Sequence, residues 1–175
     1  MTDLTALPHR LDEEARTCRA VVETPKSSRS KYDFDPEAGA FELSALLPEG
    51  MSFPLDFGFV PSTLAEDGDP LDVLVLHDEP CAVGALVDVR LIGVIEADQR
   101  GEKGTTRNDR LVAVSCVSRL YGQVKTIDDL GDDYLDHLKS FWVQFNALKG
   151  SQNDFDIHRL GGPDDAVAAI RRTQV

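Results

Sequence analysis

The chain is short of positive charge. Against 31 Asp and Glu it carries 18 Lys and Arg, a net charge of -13 over 175 residues. A nucleic-acid backbone is held by clusters of Lys and Arg, so this composition excludes nucleic acid as a partner. A small phosphate ligand is not excluded, but it enters an acidic pocket only with divalent cations between it and the carboxylates. Cysteine is scarce: Cys18, Cys81 and Cys116 are odd in number and widely spaced, which excludes a disulfide framework or zinc site and predicts reduced packing cysteines. His9, His77, His137 and His158 lack ligand spacing and read as surface or packing residues. No apolar run approaches the about eighteen residues of a membrane span. The start, Met1-Thr2-Asp3-Leu4, lacks the basic and apolar regions of a signal peptide, so the expectation is a cytoplasmic protein with no membrane partner. A hydrophobic content of 42% supports one full core. The expected organisation is an N-terminal extension over 1–17 and a single domain over 18–175.

What the chain does have is an acidic stretch, Asp67-Gly68-Asp69-Pro70-Leu71-Asp72, running directly into Val73-Leu74-Val75-Leu76. Three carboxylates in six residues raise one another's pKa and stay ionised together only where water or metal compensates the field. Gly68 and Pro70 suit a tight turn that turns the carboxylates to one side. Two readings stand: a metal loop feeding a strand, or a solvated acidic turn. An EF-hand fits poorly, because its fifth, sixth and twelfth positions hold Leu71, Asp72 and Asp78. Oxygen ligands without nearby His or Cys favour Mg²⁺ or Mn²⁺ over zinc.

Along the chain, residues 12–19 suggest a short helix, and Ala20-Val21-Val22-Glu23-Thr24 a strand stopped by Pro25. Residues 31–43 predict a hairpin turning at Pro36-Glu37-Ala38-Gly39, with Tyr32 and Phe34 on one face and Lys31, Asp33 and Asp35 on the other. Residues 53–61 read as a short strand, 73–76 as a buried strand, 83–95 as a long one, 98–109 as a loop, and 110–117 as another strand. The period then changes. Ile127, Leu130, Tyr134, Leu135, Leu138, Phe141, Trp142, Phe145 and Leu148 predict one helix, capped by Thr126 and ended by Gly150. A shorter helix begins at Pro163. The expected class is α+β and mainly β: strands closing a barrel, with a long and a short helix laid against it.

In this order the motifs resemble the soluble family I inorganic pyrophosphatases. The likeness is strongest at Asp67-Gly68-Asp69-Pro70-Leu71-Asp72-Val73-Leu74-Val75, and Val22-Glu23-Thr24-Pro25, Lys31-Tyr32-Asp33, Phe57-Gly58-Phe59-Val60-Pro61 and Leu111-Val112-Ala113-Val114 follow at similar spacing. The resemblance implies a five-stranded OB-like barrel, hydrolysis of diphosphate to two phosphates by a metal-activated water, Mg²⁺ as cofactor with Mn²⁺ as an alternative, and a homo-oligomer. It implies metal ligands at Asp67 and Asp72, with Glu23, Asp33 and Asp98 completing the acidic set. Asp69 would activate the water, and Lys31 and Arg110 would hold phosphate.

Departures accompany the match. Ala45 stands where the family has a phosphate-binding Arg, Phe57 where it has a Tyr, and Phe145-Asn146 where it has a Tyr-Lys pair. Around the second acidic pair the loop is longer: Asp98 matches the first Asp, Asn108 or Asp109 falls near the second, and Arg110 replaces a Lys. Lys26, Arg29, Arg107, Arg110 and Lys149 are the candidate replacement cations, while Tyr32 and Trp142 read as core. Two functions are therefore expected: a diphosphatase with reduced activity, or a silent or retargeted metal-binding paralogue for another phosphorylated ligand.

Overall fold

A computed structural model describes residues 3–101, 104–150 and 154–175. Its strands are β1 (Thr17–Thr24), β2 (Ser30–Asp35), β3 (Ala40–Leu46), β4 (Asp56–Val60), β5 (Leu71–Leu76), β6 (Leu86–Gly101), β7 (Gly104–Arg107), β8 (Arg110–Ser115) and β9 (Asp154–Gly161). A 3₁₀ turn at Ile127–Leu130 precedes α1 (Asp132–Ala147), and α2 (Pro163–Thr173) follows β9. β1 pairs with both β4 and β6, β4 with β5, β5 in parallel with β8, and β8 with β6. Those five pairings close a ring, the expected OB-like five-stranded barrel. β2 and β3 form a separate hairpin, and the far half of β6 carries β7 and β9.

Alternation along the strands divides the core in two. Leu71, Val73 and Val75 of β5 and Leu111 and Ala113 of β8 join residues from the other ring strands in the barrel interior, closed by Ala166, Val167, Ala169 and Ile170 of α2. Leu74, Leu76, Val112 and Val114 point outward instead, against Leu135, Leu138, Trp142 and Phe145 of α1. Strands buried on both faces read as continuous apolar runs, as 73–76 does. Asp72 and Arg110 share the outward phase with Leu74 and Val112, so strand geometry alone turns them toward the end of α1.

Two glycines allow the close approaches this requires. A Cβ on Gly58 would lie 1.9 Å from the Val21 carbonyl oxygen across the β1–β4 pair, and one on Gly93 would lie 2.6 Å from that of Gly161. Gly93 also sits at a bulge in β6, where the long strand bends from the ring toward β9.

Several expectations change. No helix forms over 12–19: Asp12 bridges to Thr17 and β1 starts there. The long helix is broken, because Gly131 takes φ 81° and ψ 153°, ending the 3₁₀ turn before α1 begins. Thr126 and Asp129 cap that turn, the Thr126 N–H donating to Asp129 Oδ2 at 2.9 Å. α1 ends at Ala147, short of Gly150. Residues 98–109 are not a loop but the end of β6 and the hairpin strand β7, and β9 has no counterpart in the sequence reading. β5 starts at Leu71, which puts Asp72 inside a strand. All three cysteines are free, but only Cys18 is buried; Cys116 is exposed and does not pack. Among the described residues, no helix is long and apolar enough to cross a membrane.

Candidate active site

A cavity of about 810 Å³ opens where the acidic loop, the β2–β3 hairpin, the β6–β7 hairpin and the end of α1 meet. One wall is acidic: Glu23 from β1, Asp33 from β2, Asp67 and Asp69 from the loop, and Asp72 from β5. The loop is held by its own polar groups. The Asp69 N–H donates to Asp67 Oδ1 at 3.2 Å, the Ala65 N–H to the Asp69 carbonyl at 2.8 Å, and Gly68 supplies φ 94°. Glu23 accepts the Phe34 N–H at 2.8 Å, which ties β1 to the hairpin.

These carboxylates are poorly compensated by the protein alone. Burial raises Glu23 from its ordinary 4.5 to about 8, against the Phe34 hydrogen bond, and the neighbouring Asp33 adds to the rise. Burial likewise raises Asp72 to about 6, opposed by Arg110. Asp69 is raised by burial, then by Asp67 and Asp33. The donor set is hard oxygen, which fits Mg²⁺ or Mn²⁺. Among the described residues no three such side chains close on one point, so the acids form a wall rather than a finished cage.

The cationic groups are distinct in kind. Arg110 is 2% exposed, with its guanidinium carbon 4.2 Å from the ring centres of both Trp142 and Phe155. Its Nη1 donates to the Asn108 carbonyl at 3.5 Å, while its buried Nε has no hydrogen-bond partner. A desolvated guanidinium on an aromatic face gains about 2 kcal/mol or more, so the two rings stabilise a charge that burial opposes. Lys31 pairs with Asp33 and lies 5.6 Å from the Phe57 ring centre. Lys149 lies 5.1 Å from that of Phe145, and burial followed by Arg110 and Lys31 lowers its pKa.

Of the residues singled out in the sequence, Glu23, Lys31, Asp33, Asp67, Asp69, Asp72 and Arg110 are brought to this cavity. Asp98 is not: it faces His158, whose Nε2 is 2.9 Å from Oδ2. Neighbouring residues on a strand face opposite ways, so the residue that enters the cavity is Gln99. Asp109 turns away as well, toward Arg107 at 2.7 Å and Arg172 at 3.4 Å, and Asn108 faces the cavity. Of the candidate replacement cations, Lys149 and Arg110 line the cavity; Arg29 instead donates to the Leu47 carbonyl. Phe57 and Phe145 line it too. Ala45 pairs with Lys31 across the β2–β3 hairpin, and Asn146 is wholly buried, donating to the Trp142 carbonyl at 2.9 Å.

Sequence reasoning missed Gln99, Thr106 and Trp142 as cavity residues. Counting by twos along β6 from buried Ala97 would have reached Gln99. Trp142 gave no such signal, because its core packing and its contact with Arg110 use the same ring.

The sequence model for inorganic pyrophosphatase matches residues 20–175. The inorganic pyrophosphatase of Thermus thermophilus is 34% identical over 174 residues, covering 99% of this chain and 95% of that protein. That of Synechocystis is 33% identical over 147 residues, covering 84% and 83%. In three dimensions the crystal structure of the Thermus thermophilus inorganic pyrophosphatase superposes with a TM-score of 0.87 at 31% identity, covering 97% of this chain and 95% of that one. Motif order, barrel topology and near-complete coverage agree, and the chain belongs to the family I inorganic pyrophosphatases.

Proposed function

We infer that this chain hydrolyses inorganic diphosphate to two phosphates. The observation that carries the reading is the meeting of five carboxylates with Lys31, Lys149 and Arg110 around one cavity. Asp67, Asp72, Glu23 and Asp33 are the groups that would hold Mg²⁺, or Mn²⁺ in its place. When bound, the metal supplies positive charge against the diphosphate oxygens and makes water a stronger acid.

The protein's own part is positioning and proton handling. Asp69 accepts the proton of the attacking water as its oxygen bonds to phosphorus and the bridging P–O bond breaks; the proton then passes to the departing phosphate. Burial and the neighbouring Asp67 raise the pKa of Asp69, which makes its carboxylate a stronger base than a solvated one. Lys31 and Lys149 line the cavity and neutralise terminal oxygens. The buried Nε of Arg110 is a donor without a partner, and an anionic oxygen entering beside it would satisfy it. Phe57, Phe145 and Trp142 keep bulk water from that end.

Phe57 and Phe145 at positions of expected polar contact favour a second reading, a site retargeted to another phosphorylated ligand. The discriminating experiment is phosphate release from diphosphate with Mg²⁺, with Mn²⁺ and without metal. Metal-dependent release is expected. A folded, metal-bound protein releasing none in any condition overturns the diphosphatase reading and leaves a silent or retargeted paralogue.

We also propose action in the cytoplasm as a homo-oligomer. Free cysteines support the first, and the exposed Leu43 and Leu46 of β3 support the second. Sedimentation as a monomer at micromolar concentration would count against the oligomer.

A further inference from the structure

We propose that the wall of the cavity built by β6, β7 and β8 holds no divalent ion, and that Gln99 and Asn108 there bind the distal phosphoryl group of diphosphate directly. This rests on the diphosphatase reading and deepens it. Among the described residues, every carboxylate lining the cavity comes from β1, β2, β5 or the acidic loop and none from β6, β7 or β8; the nearest, Asp72, lies beside Arg110, 3.5 Å from its Nε. The β6–β8 side presents Gln99, Thr106, Asn108 and Arg110.

The acids nearest in sequence are engaged elsewhere. Asp98 faces His158, and Asp109 accepts from Arg107 and Arg172. At the cavity itself Asn108 Nδ2 donates to Gln99 Oε1 at 2.7 Å. This contact occupies the Gln99 oxygen that would otherwise be offered to a cation. The Asn108 backbone carbonyl is occupied too, by Arg110 Nη1. Two carboxylates as close as these amides would demand a cation between them, whereas an amide pair satisfies itself without charge. The fixed positive charge of Arg110 beside them repels a second cation and attracts an anion.

What remains free suits a phosphoryl group. The Gln99 amide nitrogen has two N–H donors outside its contact with Asn108, Asn108 Nδ2 keeps a second N–H beyond the one given to Gln99, and Arg110 Nε is a buried donor with no hydrogen-bond partner. The substrate would then lie between unlike walls, with metal and carboxylates around the attacked phosphorus, and neutral and guanidinium donors around the other.

The test counts Mn²⁺ per chain by electron paramagnetic resonance, in the presence of the non-hydrolysable analogue imidodiphosphate. The proteins compared are the full chain, Gln99→Leu, Asn108→Leu, and the near-isosteric pair Gln99→Glu with Asn108→Asp. The leucine variants are expected to keep the parent's Mn²⁺ count while Gln99→Leu raises KM for diphosphate about tenfold. The double acidic variant is expected to melt below the parent in chelator, to recover on adding Mn²⁺, and to bind about one more ion per chain. A drop in Mn²⁺ count in either leucine variant overturns the proposal, as does an unchanged count in the acidic variant. Because counting needs no turnover, failure of the diphosphatase reading shows up separately, as absent phosphate release with the ion count intact.

Discussion

Arg110 stands beside Asp72 across the parallel β5–β8 pair, its Nε 3.5 Å from Asp72 Oδ2, yet that nitrogen makes no hydrogen bond. The ion pair is therefore incomplete by one donor. Trp142 and Phe155 fix the guanidinium plane by stacking on it, so what holds Arg110 in place is aromatic packing more than its acid partner.

Arg110→Lys is expected to lower kcat/KM for diphosphate by about 10- to 100-fold, because an ammonium cannot stack between two rings or keep a planar donor. Arg110→Met is expected to lose as much activity and to melt below the parent without metal, because Asp72 is left without its cation although a flexible apolar chain fills the slot between Trp142 and Phe155. Steady-state kinetics and thermal melts on both variants check this. Arg110→Lys retaining parental kcat/KM would remove Arg110 from the substrate contacts.

Asp72→Asn and Asp69→Asn should separate metal binding from proton transfer. Asp72→Asn removes charge from the acidic wall and should weaken Mn²⁺ binding measured by calorimetry. Asp69→Asn should bind Mn²⁺ closer to the parent and lose about 10²- to 10⁴-fold in kcat, the range for a positioned acid or base. Equal Mn²⁺ affinity in Asp72→Asn and the parent would exclude Asp72 as a ligand.

The raised carboxylates set a pH dependence with a definite sign. Glu23 moves from 4.5 to about 8 on folding and Asp72 from 3.8 to about 6, so over those windows the metal-free folded chain binds more protons than the unfolded chain. Stability of the metal-free protein should then fall as pH rises from 4 toward 8. With Mg²⁺ the trend should weaken or reverse, because the ion competes with the proton for the same oxygens. Melting temperatures across this range, with and without chelator, test both halves.

Ala45 and Asn146 should respond in opposite ways to an added cation. Ala45 is exposed on β3 opposite Lys31, so Ala45→Arg brings a guanidinium to the cavity side of the hairpin and should raise kcat/KM about tenfold. Asn146 is 0% exposed with its amide oxygen unpartnered, so Asn146→Lys buries an ammonium with no acid beside it and should unfold α1 from the barrel or lower the melting point by many degrees. A folded Asn146→Lys with higher turnover would show that the end of α1 repacks.

The barrel was legible because short apolar runs follow one another along the chain, 73–76 most plainly; that Gly58 and Gly93 sit at its close approaches shows only in the fold. The acidic loop was legible because three carboxylates around Gly68 and Pro70 have few other uses. The β6–β7 hairpin was not, since Arg100, Thr105 and Thr106 are too polar to announce a strand and owe their pairing to the length of β6. The choice between Asp98 and Gln99 hung on strand phase, which a segment read as a loop does not possess. Nor could periodicity find the break at Gly131, because the apolar spacing continues through it and only the backbone angle changes.

The aromatic slot around Arg110 also constrains when the site comes into being. Its walls, Trp142 and Phe155, lie 32 and 45 positions beyond the arginine, on α1 and β9, whereas the ring strands are complete by Ser115. A nascent chain can therefore pair its ring strands and display the acidic wall while Arg110 still has no rings to lie between. Binding of hard cations should be acquired early in synthesis, and productive grip on diphosphate only after β9 has docked along β6.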